Sequence, residues 1–274
     1  MPYETLIEVD ALAARLDDPA FRIVDCRATL GDPDAGRRAF EKAHIPGAVH
    51  ADLERTLSGA VIPGVTGRHP LPEPDVLASA FGRWGIDAST QIVAYDAGSG
   101  AFAARLWWLA RWLGHAAVAV LNGGFERWTR VRQPTTPTVI APAQRVFLRR
   151  PPLTRVVTAD TVLAPHSVLL DARAEPRYRG VAEPIDKVAG HIPGAKCAPF
   201  EANLAADGGF LSKALLRERF SALGAAEGPV TCYCGSGVTA CHNVLALRIA
   251  GLGEAALYPG SWSEWITDPA RPIA

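Results

Sequence analysis

Residues 229–242 read Pro-Val-Thr-Cys-Tyr-Cys-Gly-Ser-Gly-Val-Thr-Ala-Cys-His. Val230–Tyr233 is a short apolar run with the length and composition of a strand buried on both faces. Gly235 and Gly237 interrupt it, and Val238–Ala250 continues as a helix closed by Gly251 and Gly253. A strand that runs through a tight loop into a helix is the building unit of a parallel sheet. Such sheets bind ligands beyond the carboxyl ends of their strands, which is where Cys234 falls. The glycines let successive N–H groups turn inward, and the helix aims its unsatisfied N–H groups and positive end at the same point. That environment suits a nucleophilic thiolate and, after a transfer step, an anionic sulfur bound to it. The hydroxyls of Ser236 and Thr239 are candidates for hydrogen bonds to substrate, with capping of the helix as their structural alternative.

Outward from this stretch the chain repeats itself. Val230–Cys234 answers Ile92–Asp96, and Leu169–Ala174 answers Ile23–Ala28. His44-Ile45-Pro46-Gly47-Ala48 recurs unchanged as His191-Ile192-Pro193-Gly194-Ala195, and Asn122–Trp128 matches Pro259–Trp265. Four matches in the same order at a nearly constant offset indicate tandem duplication of a domain. Strands are expected at Arg22–Asp25, Gln91–Tyr95 and Val168–Asp171, with a further helix over Ala101–Leu113. The expected architecture is therefore α/β, two tandem domains, each a mainly parallel sheet flanked by helices. The domains are expected at residues 1–132 and 154–274. Between them, 133–153 carries Pro134, Pro137, Pro142, Pro151 and Pro152 and reads as an extended linker, with Gln144–Leu148 a candidate edge strand.

Composition narrows the function. The 274 residues carry no formal net charge, which removes the broad positive field of a nucleic-acid binder. The N-terminal residues lack the pattern of a secretory signal, and no apolar run is long enough to cross a bilayer. Five cysteines, an odd and small number, point to reduced thiols and a cytoplasmic setting. The spacing of Cys232, Cys234, Cys241 and His242 is not that of a zinc site, so no metal and no cofactor is expected.

Cys234–Ala240 resembles the active-site loop of the rhodanese superfamily, in the form found in 3-mercaptopyruvate sulfurtransferases. The duplicated His-Ile-Pro-Gly-Ala, the Asp-x-Arg strand ends and Gly260–Trp265 are also similar to that superfamily, and the resemblance spans nearly the whole chain. It implies a catalytic second domain and a degenerate first one, in which Asp96, unable to accept sulfur, stands where the second has Cys234. The implied activity is transfer of sulfur from a small anionic donor, 3-mercaptopyruvate or thiosulfate, through a persulfide on Cys234. Acceptors would be a thiol, a thioredoxin-like protein or cyanide. The alternatives are thiosulfate:cyanide transfer as the main activity and a non-catalytic sulfur-carrier or binding module. A cysteine phosphatase, which shares this loop geometry, needs an arginine six residues after the cysteine, where Ala240 stands here.

Arg177 matches the superfamily arginine that binds the anionic end of the donor, a task that suits a guanidinium fork. Mercaptopyruvate enzymes carry a second arginine after a Glu-Pro; here Glu183-Pro184-Ile185-Asp186-Lys187 offers only Lys187. Gly235, Ser236, Gly237, Val238 and Thr239 complete the implied substrate-binding set. His44 is a candidate for proton transfer, with Asp32 or Asp34 to orient it, and a structural histidine at a turn is the alternative. Asp25 and Asp171 are expected to fix loops near Arg27 and Arg173, and Cys26 and Cys197 to be structural.

Overall fold

The computed structural model describes residues 2–163 and 167–274. It comprises two compact units. The first unites Met1–Gly59, Pro72–Leu153 and Ala206–Gly209; the second unites Ala60–Leu71, Thr154–Ala205 and Phe210–Ala274.

In the first unit, strands β1 (Leu6–Ile7), β2 (Phe21–Asp25), β3 (Val49–His50), β4 (Gln91–Tyr95) and β5 (Val118–Leu121) form one sheet in the order β1-β5-β4-β2-β3. In the second, β6 (Arg155–Val156), β7 (Val168–Asp171), β8 (Lys196–Cys197), β9 (Val230–Tyr233) and β10 (Ala256–Leu257) are ordered β6-β10-β9-β7-β8. The pairings are parallel throughout, so the second sheet repeats the first strand for strand. Helices α1 (Val9–Ala13), α2 (Ala35–Lys42), α3 (Pro74–Arg83), α4 (Ala101–Trp112) and α5 (Gly124–Arg130) belong to the first unit. The second has α6 (Glu175–Tyr178), a 3₁₀ turn at Phe200–Asn203, α7 (Lys213–Ala222), α8 (Thr239–Ile249) and α9 (Ser261–Trp265). This is the expected α/β class.

β4 and β9 are buried along their whole length, because parallel strands are covered on both faces. That is why their sequences run apolar without alternation. α4 is likewise buried almost all round, including Trp107 and Trp108. Each sheet therefore holds its central strand rigidly, and the residue after that strand, Asp96 or Cys234, inherits a fixed position.

The proline-rich stretch packs as part of the first unit. Thr136 bridges to His44, the Arg145 N–H donates to the Gly82 carbonyl at 2.9 Å, and Phe147 meets Phe81 edge-on. Gln144–Leu148 forms no strand: its backbone holds on to the end of α3 and not to a sheet edge.

Ion pairs tie down the strand ends. Asp25 chelates Arg27 and accepts a hydrogen bond from Tyr95 at 2.6 Å, while Asp171 chelates Arg173. Arg27 lies over the Phe125 ring, and Arg173 over Trp262. Both aspartates are fully buried, and a buried carboxylate needs such partners to be retained.

Candidate active site

Cys234 stands directly after β9 with its side chain almost wholly buried. The Gly237 N–H donates to its Sγ at 3.1 Å, so the loop curls back onto the sulfur. Gly237 adopts φ +79°, and a Cβ there would stand 2.2 Å from the Pro259 carbonyl oxygen; only glycine fits the turn. The entry to α9 fastens the loop from outside. Trp262 and Ser263 N–H groups donate to the carbonyls of Cys234 and Gly235 at 3.0 and 2.9 Å. The Cys234 N–H in turn donates to Ser261 Oγ at 3.1 Å. The N-terminus of α8 begins five residues after the sulfur, with Val238 at its cap and no side-chain cap bond.

Ser236 does not cap that helix. Its hydroxyl shares a 2.7 Å hydrogen bond with His69 Nδ1, and both residues are buried. Thr239 is the first residue of α8 and is partly exposed.

Arg177 lies at the end of α6. Its Nε donates to Glu183 at 3.0 Å and its Nη2 to Asp186 at 2.9 Å. The remaining face of the guanidinium covers the loop, with both terminal nitrogens 3.3 Å from where a Cβ on residue 235 would stand. Arg68 shares that position: its Nη2 lies 2.9 Å from the same point and its Nη1 pairs with Asp186. Burial and the adjacent Arg177 lower the Arg68 guanidinium from its ordinary value, opposed by the Cys234 sulfur and Glu183.

Lys187 is exposed and makes no ion pair among the described residues, and Arg68 lies beside Arg177. His44 belongs to the first unit, is fully buried, and has Nδ1 2.7 Å from the Phe40 carbonyl and Nε2 3.2 Å from that of Thr138. Both ring nitrogens are occupied by main chain and the ring stacks on Phe40, so it has no nitrogen left for a substrate proton. Asp32 and Asp34 do not orient it; they pair with Arg38, and with Arg37 and Arg55. His191 repeats the arrangement, stacked on Tyr178 with Nδ1 against its carbonyl. The repeated histidine is a turn-former in both units.

Arg68 and His69 escaped the sequence reading. They lie in Gly67-Arg68-His69-Pro70-Leu71-Pro72, about 165 positions before the cysteine, in a stretch with no helical or strand period. The available signal was two chemistry-bearing side chains wedged between a glycine and prolines, a rigid loop.

Of the other thiols, Cys26, Cys232 and Cys241 are buried and Cys197 is partly exposed. Burial pushes the Cys26 and Cys232 thiols well up, and Cys241 donates its S–H to the Gly237 carbonyl at 3.3 Å. His242 stacks on Phe210 and meets Asn203, within a polar cluster under the 3₁₀ turn. Among the described residues no group of histidine, cysteine and acidic side chains has the arrangement of a metal site.

A parallel α/β unit with a cysteine cradled at the end of its central strand is the architecture of rhodanese-like proteins, and the chain matches the rhodanese-like domain family twice, over residues 8–131 and 158–268. The protein belongs to the rhodanese family. It is 50% identical, over 98% of its length and 97% of the relative's, to a probable 3-mercaptopyruvate sulfurtransferase of Pseudomonas aeruginosa. It is 40% identical, over 98% and 96%, to a putative thiosulfate sulfurtransferase of Mycobacterium tuberculosis. Among solved structures it is similar to a 3-mercaptopyruvate sulfotransferase from Escherichia coli, with 32% identity, a TM-score of 0.82 and coverage of 94% of this chain and 99% of that one.

Proposed function

We propose that the protein is a sulfurtransferase that takes sulfur from 3-mercaptopyruvate, with thiosulfate as the competing donor, and carries it as a persulfide on Cys234. The observation that carries this reading is the pairing of a cradled, strand-end sulfur with two guanidinium groups one residue away. The names of its relatives support both donors.

In the first half-reaction the Cys234 thiolate attacks the donor sulfur. With mercaptopyruvate an S–S bond forms and the C–S bond breaks, its electron pair passing to carbon as the enolate of pyruvate, which then takes up a proton. With thiosulfate the S–S bond of the donor breaks and the pair leaves on sulfite. The outer persulfide sulfur remains beside the loop amides and the positive end of α8, which favour its negative charge. The Ser236–His69 pair is the proton-handling group within reach of that loop, acting at the Ser236 Oγ. In the second half-reaction a thiol, a thioredoxin-like protein or cyanide attacks the outer sulfur and Cys234 departs as thiolate. Alternating transfer predicts ping-pong kinetics.

No helix among the described residues is long and apolar enough to cross a membrane, and the cysteines form no disulfide. A cytoplasmic setting, where thiol acceptors are kept reduced, is part of the proposal. Steady-state kinetics with each donor tests the assignment: parallel double-reciprocal lines and a higher kcat/KM for mercaptopyruvate support it. A protein that turns over neither donor refutes it.

A further inference from the structure

We infer that Arg68 is the second substrate-binding guanidinium of this site and, paired with Arg177, selects a donor bearing an α-keto carboxylate. The inference rests on the sulfurtransferase reading above and names the residue that fixes its donor.

Arg68 reaches the site from an unexpected part of the sequence, but its position is built. Residues 60–71 pack within the second unit. The Arg68 N–H donates to Ser263 Oγ at 3.1 Å, on the same helix entry that fastens the Cys234 loop. Gly67 lies so close to the Gly260 carbonyl that a Cβ there would come within 2.5 Å of it. Asp186 then acts as a bracket: one carboxylate oxygen takes Arg68 Nη1 and the other takes Arg177 Nη2. Its side chain is nearly buried, so the bracket is shielded from competing water.

Held this way, the two arginines have donors to spare. Arg68 Nη2 and Arg177 Nη1 both face Gly235, and among the described residues neither donates to a protein acceptor. Asp186 offsets the repulsion between the two like charges, which lets both guanidinium groups stay side by side with these N–H donors turned to the loop. A single carboxylate is satisfied by one guanidinium fork. A second guanidinium reaches the keto oxygen that mercaptopyruvate carries on the next carbon, whereas the three oxygens of thiosulfate share one sulfur and lie within the span of a single fork. Gly235 without a Cβ keeps this anion next to the nucleophile.

The test is donor kinetics of Arg68→Ala and Arg68→Lys in the full chain, with thermal melting as a folding check. Arg68→Ala is expected to raise KM for mercaptopyruvate about 10- to 100-fold, the loss typical of hydrogen bonds to charged groups. Its kcat should fall less, and KM for thiosulfate should rise by a clearly smaller factor than KM for mercaptopyruvate. Arg68→Lys, which keeps the charge without the fork, should be intermediate. If Arg68→Ala binds mercaptopyruvate as well as the parent, or loses both donors equally, the inference is wrong. Wild-type turnover and persulfide formation on Cys234 are read in parallel, so failure of the sulfurtransferase reading would show in the parent protein.

Discussion

The ends of β4 and β9 are the same piece of architecture filled by different atoms. In the first unit the Asp96 carboxylate accepts hydrogen bonds from the N–H groups of Gly98, Gly100, Phe102 and Ala103, at 2.9–3.2 Å. In the second, a sulfur occupies the corresponding place and accepts from Gly237. The helix entries correspond too. Phe125 and Glu126 N–H groups bind the carbonyls of Asp96 and Ala97, as Trp262 and Ser263 bind those of Cys234 and Gly235. The first unit thus fills with a carboxyl group the cradle that the second holds for a reactive sulfur; burial pushes the Asp96 carboxyl up from its ordinary value, opposed by the N–H donors around it. Anion binding by loop amides came with the fold; chemistry depends on which atom is placed there.

Two further differences follow the first. Gly124 and Ser261 open α5 and α9 with φ of +56° and +55°. Glycine adopts that conformation freely, whereas serine there stores about 1 kcal/mol of strain or more. The strained serine is the one whose hydroxyl receives the Cys234 N–H. Likewise the residue before the histidine-stacking aromatic is Arg177 in the second unit and Ala39 in the first. The first unit lacks the cysteine, the arginine and the strained serine together.

The largest effect is expected from Cys234→Asp, which rewrites the second loop in the language of the first. Donor turnover should fall more than about 1,000-fold, as for loss of a covalent nucleophile. The melting temperature should hold or rise, because a carboxylate suits the amide cradle. Residual turnover near the parent level would end the comparison.

Asp96→Asn should act on stability alone. An amide presents N–H to some of the four donors that the carboxylate now satisfies, and buried unpaired donors cost about 1–3 kcal/mol. Chemical denaturation should show that loss while kcat changes less than twofold. Ser261→Gly sharpens the contrast from the other side. Relief of strain and loss of two hydrogen bonds roughly offset, leaving stability within about 1 kcal/mol, but kcat should drop several-fold. Unchanged kcat would show that the Cys234 amide needs no such anchor.

The smallest effect concerns Cys197, whose thiol is pushed up to about 11, chiefly by burial and then by Asp171 and Glu175. About one molecule in a thousand carries its thiolate at pH 8, so alkylation there should rise close to tenfold for each pH unit up to about 11. A pH-independent rate between 7 and 9 would contradict this.

The fold was largely legible in the sequence, because buried parallel strands must be apolar throughout. Gln91–Tyr95, Val168–Asp171 and Val230–Tyr233 appear at the bounds read from composition, and α4 and α8 within a residue. Cys234 and its loop were legible for a local reason: nucleophile, glycines and helix start are contiguous. Arg68 and His69 were not, since what places them is packing of a loop against α9, which leaves no periodic trace. Lys187, near Arg177 in sequence, is exposed, and sequence proximity alone does not say which side chain faces the loop. His44 looked chemical because the type of residue is; its burial between Phe40 and main-chain carbonyls is visible only in three dimensions.

The most direct measurement is mass spectrometry of the intact protein and its Cys234 peptide after treatment with mercaptopyruvate in the absence of acceptor. One added sulfur atom on Cys234, removed by cyanide and absent from Cys26, Cys197, Cys232 and Cys241, is the expected result. Full donor turnover with no sulfur ever found on Cys234 would contradict it.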